Sequence, residues 1–273
     1  MAISTFDGFI AAAKQQATLM KTASRTAVAT AWFSLFDLAG NPGAGVLAGT
    51  STTAGVVPDD TTVGCPLLTD FGASNTGYLA QVEFSSTVAG RLALFDMLFK
   101  AGAYGFAAGT TTLSAQPSYT SRIPSSDYSS TQIWIEVSTA FATGTAWQVQ
   151  VTYTNQSGTT GRSTVILPAS AAAALTQGRM YQLALQAGDS GVQKIESVIV
   201  TNGGTAMTAG AFNVLVLRRL WSGRARLAND GGVADMAATG LPQLFQNSAL
   251  VMLAAPDSTA TGVPEVQMVI ANG

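Results

Sequence analysis

Seven residues constrain this chain more than any others: in Trp147-Gln148-Val149-Gln150-Val151-Thr152-Tyr153 every second side chain is apolar or aromatic. Trp147, Val149, Val151 and Tyr153 fall on one face, and Gln148, Gln150 and Thr152 on the other. A period of two marks a strand with one buried face. Asn155-Gln156-Ser157-Gly158 then turns the chain toward residues 163–167, which predicts a hairpin. Residues 132–137 alternate in the same way. Further strands are expected at 28–36, 78–84, 91–99, 180–185, 192–201, 212–219, 249–253 and 266–270, and a short one near Val56-Val57. Residues 169–175 are alanine-rich and read as a short helix instead. Gly, Pro and Asn turns separate these runs, and no βαβ alternation or fixed-period repeat appears. That pattern predicts an all-β sandwich or barrel.

One segment departs from the strand texture. Ser4-Thr5-Phe6-Asp7 has the form of a capping box, and Phe6, Phe9, Ile10, Ala13, Ala17 and Met20 recur at helical spacing. The spacing predicts an amphipathic helix from about Thr5 to Thr22, within an arm of residues 1–27. Residues 28–273 are expected to form the β-sandwich domain, with a long Gly/Thr/Ser/Pro-rich loop at about 40–77. A loop of that length in a compact domain is usually an interaction or functional surface.

Composition narrows the function. Of 273 residues only 10% are charged against 47% hydrophobic, the net charge is -2, and there is one cysteine and no histidine. Cys65 alone excludes an intramolecular disulfide framework and a CxxC metal site. The absence of histidine removes the commonest metal ligand and general base. Near-neutral charge argues against bulk capture of nucleic acid. The uncharged stretch 197–217 is long enough to span a bilayer, but Asn202-Gly203-Gly204 and several threonines make it two strands and a loop. No signal peptide is visible, and a soluble chain is expected.

Gly188-Asp189-Ser190-Gly191 copies the residues around the nucleophile of chymotrypsin-like proteases, yet no histidine is present to accept the serine proton. It reads as a tight turn. A serine–lysine pair has only Lys14, Lys21, Lys100 and Lys194 to draw on, the last two at strand edges where solvation is the default. Glu136 or Glu196 beside Trp134, Trp147 and Tyr153 would make a sugar site conceivable if the aromatics lined a concave face. Asp59-Asp60 and Asn229-Asp230-Gly231-Gly232 offer oxygen ligands but lack the spacing of a calcium loop. Neither catalytic, cofactor nor metal residues are assigned. The densest cationic cluster, Arg218, Arg219, Trp221, Arg224 and Arg226, suits an ordinary strand end or a protein contact, with nucleic-acid binding a third reading that the net-acidic chain weakens. With Phe6, Phe9, Ile10 and Met20 it makes up the candidate interaction residues.

The stretch 90–99, then 132–136 and 151–162, resembles a group of tailed-bacteriophage virion proteins, and 188–192 and 212–218 extend the likeness. The resemblance implies a β-rich, non-enzymatic structural protein, a jelly-roll-like head decoration or cement protein of the virion, assembled in the host cytoplasm. Its implied partners are copies of itself, most simply a trimer, and the major capsid protein, with no nucleic acid, membrane or cofactor. A tail or tube component and a carbohydrate-binding module of a fibre are the alternatives.

Overall fold

A short helix opens the chain, and strands take over within a few residues. The computed structural model describes residues 5–49, 51–73, 76–141, 147–168, 175–202 and 209–272. The elements begin with α1 (Phe6–Ala11), β1 (Lys14–Lys21), β2 (Phe33–Ser34), β3 (Gly40–Asn41), β4 (Ser51–Val56), β5 (Thr76–Ser86), β6 (Gly90–Tyr104) and β7 (Gly109–Thr112). They continue with β8 (Thr131–Thr139), β9 (Trp147–Asn155), β10 (Arg162–Ser163), β11 (Leu167–Pro168), β12 (Met180–Leu183) and β13 (Val192–Asn202). The last are β14 (Ala211–Ala225), β15 (Asp230–Ala234), α2 (Met236–Thr239), β16 (Gln243–Phe245), β17 (Leu250–Pro256) and β18 (Pro264–Asn272). The β1–β18, β9–β13, β8–β14, β6–β17 and β5–β18 ladders are antiparallel, and the fold is an all-β sandwich architecture with a small N-terminal helix.

The chain divides into two compact units. The first comprises Met1–Val46, Pro58–Asp96 and Leu220–Gly273. Its larger sheet has the order β15-β5-β18-β1-β3, with β16 also on β5. β17 pairs on one side with β2 and on the other with the first half of β6, from Leu250↔Asp96 to Pro256↔Gly90. Leu19, Leu79, Val82, Leu94, Met252, Val266 and Met268 from these strands meet in one core. The second unit comprises Leu47–Val57 and Met97–Arg219. In it the sheet β10-β9-β13-β7 shares a core with the β12-β8-β14 ladder. Val149, Val151 and Tyr153 pack there with Ile133, Ile135, Val214 and Val216, and Phe106 meets Phe141 edge-on at 4.1 Å. The stretch expected as one sandwich, 28–273, supplies strands to both units, β6 and β14 each contributing to the two.

The N-terminal helix is shorter than its periodicity predicts. It ends at Ala11, and the segment expected as its second half is β1, paired with β18 from Lys14↔Ala271 to Met20↔Glu265. The cap falls on Thr5, whose hydroxyl accepts from the Gly8 N–H at 3.0 Å. Lys14 stops the helix by donating its ammonium to the carbonyls of Phe9, Ile10 and Ala12 at 3.0–3.1 Å. Beyond it Ala17, Leu19 and Lys21 are buried at period two. The buried lysine is what disguises that alternation in the sequence.

Residues 28–36 are also corrected: only Phe33–Ser34 forms a strand, because a turn at 28–31 precedes it, with the Ala31 N–H donating to the Val28 carbonyl at 3.1 Å. The long stretch after Gly40 holds β3 and β4 but is otherwise a tied-down loop. The helix expected at 169–175 lies, but for Leu175, outside the described residues. Among the described residues no helix is long and apolar enough to cross a membrane.

Candidate interaction surfaces

The protease-like motif is a structural lock. Gly188 (φ +90°) makes the turn, and at Gly191 a Cβ would stand 1.7 Å from the Tyr128 carbonyl oxygen, so only glycine fits. Between them the Asp189 side chain, 3% exposed, accepts from the Tyr153 hydroxyl at 2.7 Å and the Asn155 amide at 2.7 Å. Arg162 adds a two-pronged contact, Nε at 2.9 Å and Nη2 at 3.2 Å. The Arg162 guanidinium, then Asn155 and Tyr153, hold the carboxyl down to about 2. Burial and the same hydrogen bond push the Tyr153 phenol up to about 12. The Ser190 backbone N–H donates to Gln156 Oε1 at 3.0 Å. Every oxygen of Asp189 is thus committed to joining the 186–191 turn to β9 and β10. A shallow polar groove of about 350 Å³ runs beside it, lined in part by Ser129, Gln132, Gln182, Gln186 and Ser190.

The other carboxylates with chemical potential are also engaged. Glu136 is buried and accepts from Asn213 Nδ2 at 2.9 Å, while Glu196 accepts from Thr154 Oγ1 at 2.8 Å and the Gly161 N–H. Trp134 and Trp147 are 2% and 4% exposed, which removes the aromatic platform a sugar site would need. Asp59 binds the backbone and hydroxyl of Thr61, and Asp60 takes the Leu68 N–H at 3.1 Å. Asp230 takes the N–H groups of Arg226 and Leu227. Among the described residues no three metal-ligating side chains come together. Two lysines are inside the protein, contrary to the solvated placement expected for Lys100. Lys21 is 1% and Lys100 6% exposed. Burial pushes the Lys21 ammonium down against the opposing pull of Asp37 and Cys65, and it donates to the Leu38 carbonyl at 3.1 Å.

The predicted interaction residues do not form one patch. Ile10 is 59% exposed, Phe9 is half-buried under the Lys14 ammonium at 4.9 Å, Met20 is half-buried in β1, and the Phe6 side chain lies outside the description. Along β14, Arg218 is buried and Arg219 exposed, because neighbours in a strand face opposite ways. Trp221 is buried against Phe84, ring centroids 4.9 Å apart. Arg224 and Arg226 are exposed, Arg224 pairing with Asp257 at 2.8 Å. The sequence cluster therefore divides between buried positions, Arg218 and Trp221, and exposed ones, Arg219, Arg224 and Arg226.

Sequence reasoning placed a surface in the long loop without naming its residues, and there the structure exposes large aliphatics: Val46 at 62%, Val63 at 68% and Leu67 at 69%. The loop beneath them is held firmly. Gly45 donates to the Phe36 carbonyl, Cys65 to Thr62, and Leu68 and Phe71 are buried in the core of the first unit. The missing signal was context, since an isolated valine in a Gly/Thr-rich run carries no periodicity.

No protein-family model matches the chain, and no curated protein matches it. Among solved structures, the VP2 subviral particle of infectious bursal disease virus is similar over 94% of this chain and 79% of that one, at 12% identity and a TM-score of 0.22. The Gt strain of the same virus aligns over 95% and 81%, at 9% identity and a TM-score of 0.19. T=1 particles derived from it align over 94% and 76%, at 10% identity and a TM-score of 0.22. The likeness to these viral capsid proteins is weak, and at such TM-scores it fixes neither the fold nor the role of this chain.

Proposed function

We propose that this chain is a non-enzymatic structural protein of a virus particle, acting by fitting against copies of itself and neighbouring shell subunits. The observation that carries the reading is a tethered loop that displays Val46, Val63 and Leu67 to solvent. Three exposed aliphatic side chains on one tethered, charge-poor loop give a partner apolar area to cover. Low charge reduces the desolvation cost of broad contacts, and the carboxylates best placed for chemistry are tied into loops and strands. The sequence likeness to tailed-phage virion proteins refines this to a head decoration or cement protein in a cyclic oligomer, a trimer most simply, bound to the major capsid protein. Binding that recognises only the assembled shell stabilises it by mass action. The location is then the virion, with assembly in the host cytoplasm. A tail or tube ring is the rival within the same class, and particle images separate the two by symmetry.

Size-exclusion chromatography with light scattering, followed by electron microscopy with candidate shells, tests the reading. The expected result is a defined oligomer that binds particles. Val63→Ser with Leu67→Ser weakens the association by about 1–3 kcal/mol while leaving the fold intact. A protein that stays monomeric, ignores particles and turns over a substrate, losing that turnover on one acidic or serine substitution, overturns it.

A further inference from the structure

A pocket in the first unit points to a ligand that the sequence does not announce. It has a volume of about 160 Å³ and is lined by Thr30, Trp32, Arg91, Arg224, Ala255 and Asp257. The strand register builds it: Arg91 on β6 stands directly opposite Ala255 on β17, so a long cation projects beside a methyl group and leaves space over it. Arg224 on β14 forms the far wall, one arm donating to Asp257 Oδ2 at 2.8 Å. Two guanidiniums against one carboxylate leave one positive charge in excess. The Arg91 guanidinium takes part in no hydrogen bond or ion pair among the described residues, and Arg224 keeps further N–H donors beyond the one given to Asp257.

The rim is held in a conformation that its sequence disfavours. Thr30 has φ +65°, a left-handed backbone that a β-branched residue rarely adopts, and its N–H is fixed to the Pro256 carbonyl at 2.6 Å. Strain of this kind collects at ligand sites, where the surrounding structure enforces it. Half-buried Trp32 beside it supplies an apolar wall. Forked cations facing an apolar wall in a concavity recognise a carboxylate carried on a short apolar stem. A volume of about 160 Å³ admits a small carboxylate and is below the usual size of a drug-sized ligand's pocket.

We propose that this pocket binds a carboxylate group, held by Arg91 and Arg224 with its carbon stem against Trp32. The ligand is either a free small carboxylate or the acidic side chain of a second copy of this chain. This goes beyond the structural role proposed above and does not depend on it, because that role is read by particle binding and this one by ligand titration.

Propionate is the probe, with propionamide as its uncharged match, and the readout is the indole N–H resonance of Trp32, assigned through Trp32→Phe. The expected result is a saturable shift with a Kd on the order of millimolar. Propionamide leaves the resonance unmoved, and Arg91→Gln, a change on the surface, weakens binding about tenfold or more with the thermal midpoint unchanged. If propionate also dissociates self-associated protein, the natural ligand is a second copy's side chain; if association is unaffected, it is a free carboxylate. A shift that never saturates, equal binding of propionamide, or equal affinity in Arg91→Gln overturns the proposal.

Discussion

Asp189 is held by three donors of different kinds: a guanidinium, an amide and a phenol. Its sequence context imitates a catalytic serine loop, yet what it does is mechanical, since removing the carboxylate would strip the 186–191 turn of its ion pair to β10 and of two hydrogen bonds to β9. The arrangement has a pH signature. With its carboxyl at about 2 in the folded protein against an ordinary 3.8, Asp189 binds its proton more readily when the chain unfolds. It therefore adds stability that is fully present above pH 3.8 and is lost as pH falls toward 2. Asp189→Asn is expected to cost about 1–3 kcal/mol near neutrality, because Arg162, Asn155 and Tyr153 lose a charged acceptor. The variant should also lack that part of the acid loss. Denaturant unfolding across pH checks both; a variant whose acid limb matches the native protein's would show that the lock carries no energy. The two flanking glycines were legible as a turn. The carboxylate's partners were not, because Tyr153, Asn155 and Arg162 come from a hairpin 27–36 residues away.

At the scale of elements, β1 decides what the N-terminal segment does. Had it been a helical arm, removing residues 1–22 would have spared the sandwich. As a strand it forms the ladder with β18 and buries Leu19 at 1% exposure. Deleting residues 1–22 is therefore expected to unfold the first unit, whereas deleting 1–12 leaves it folded, as read by circular dichroism and hydrogen exchange on β18. Leu19→Ala is expected to cost about 2–4 kcal/mol. A folded 1–22 deletion with protected β18 amides would contradict this. The two strands with clean alternation, β8 and β9, sit where period two places them, and the apolar runs at 192–201 and 266–270 fall within β13 and β18. The short strands β3, β7, β15 and β16 were not legible, since two to five residues of Gly, Thr or Gln carry no pattern of their own. They exist because a long neighbour offers an edge to pair with.

For the whole molecule, the low charge makes a prediction about association. Contacts of the kind proposed for Val46, Val63 and Leu67 would depend on apolar area, which salt does not screen. Raising ionic strength from about 0.05 to about 0.5 M should leave oligomer size unchanged or increased, whereas charge-driven contacts would dissolve as the Debye length shrinks. Light scattering across that range discriminates. Salt-induced dissociation would move the interface from the loop aliphatics to the exposed arginines.

The all-β class, the long central strands and the want of a histidine-based catalytic centre follow from residue order alone, because period-two burial and residue chemistry are local properties. Two things required the folded chain. One is the switch from helix to strand after Ala12, imposed by a ladder with residues some 250 positions away. The other is the surface itself: whether an arginine in β14 faces a core or a solvent pocket, and whether a valine in a loop is covered, depends on what packs over it. Periodicity tells which residues share a face; only tertiary contacts tell what that face meets.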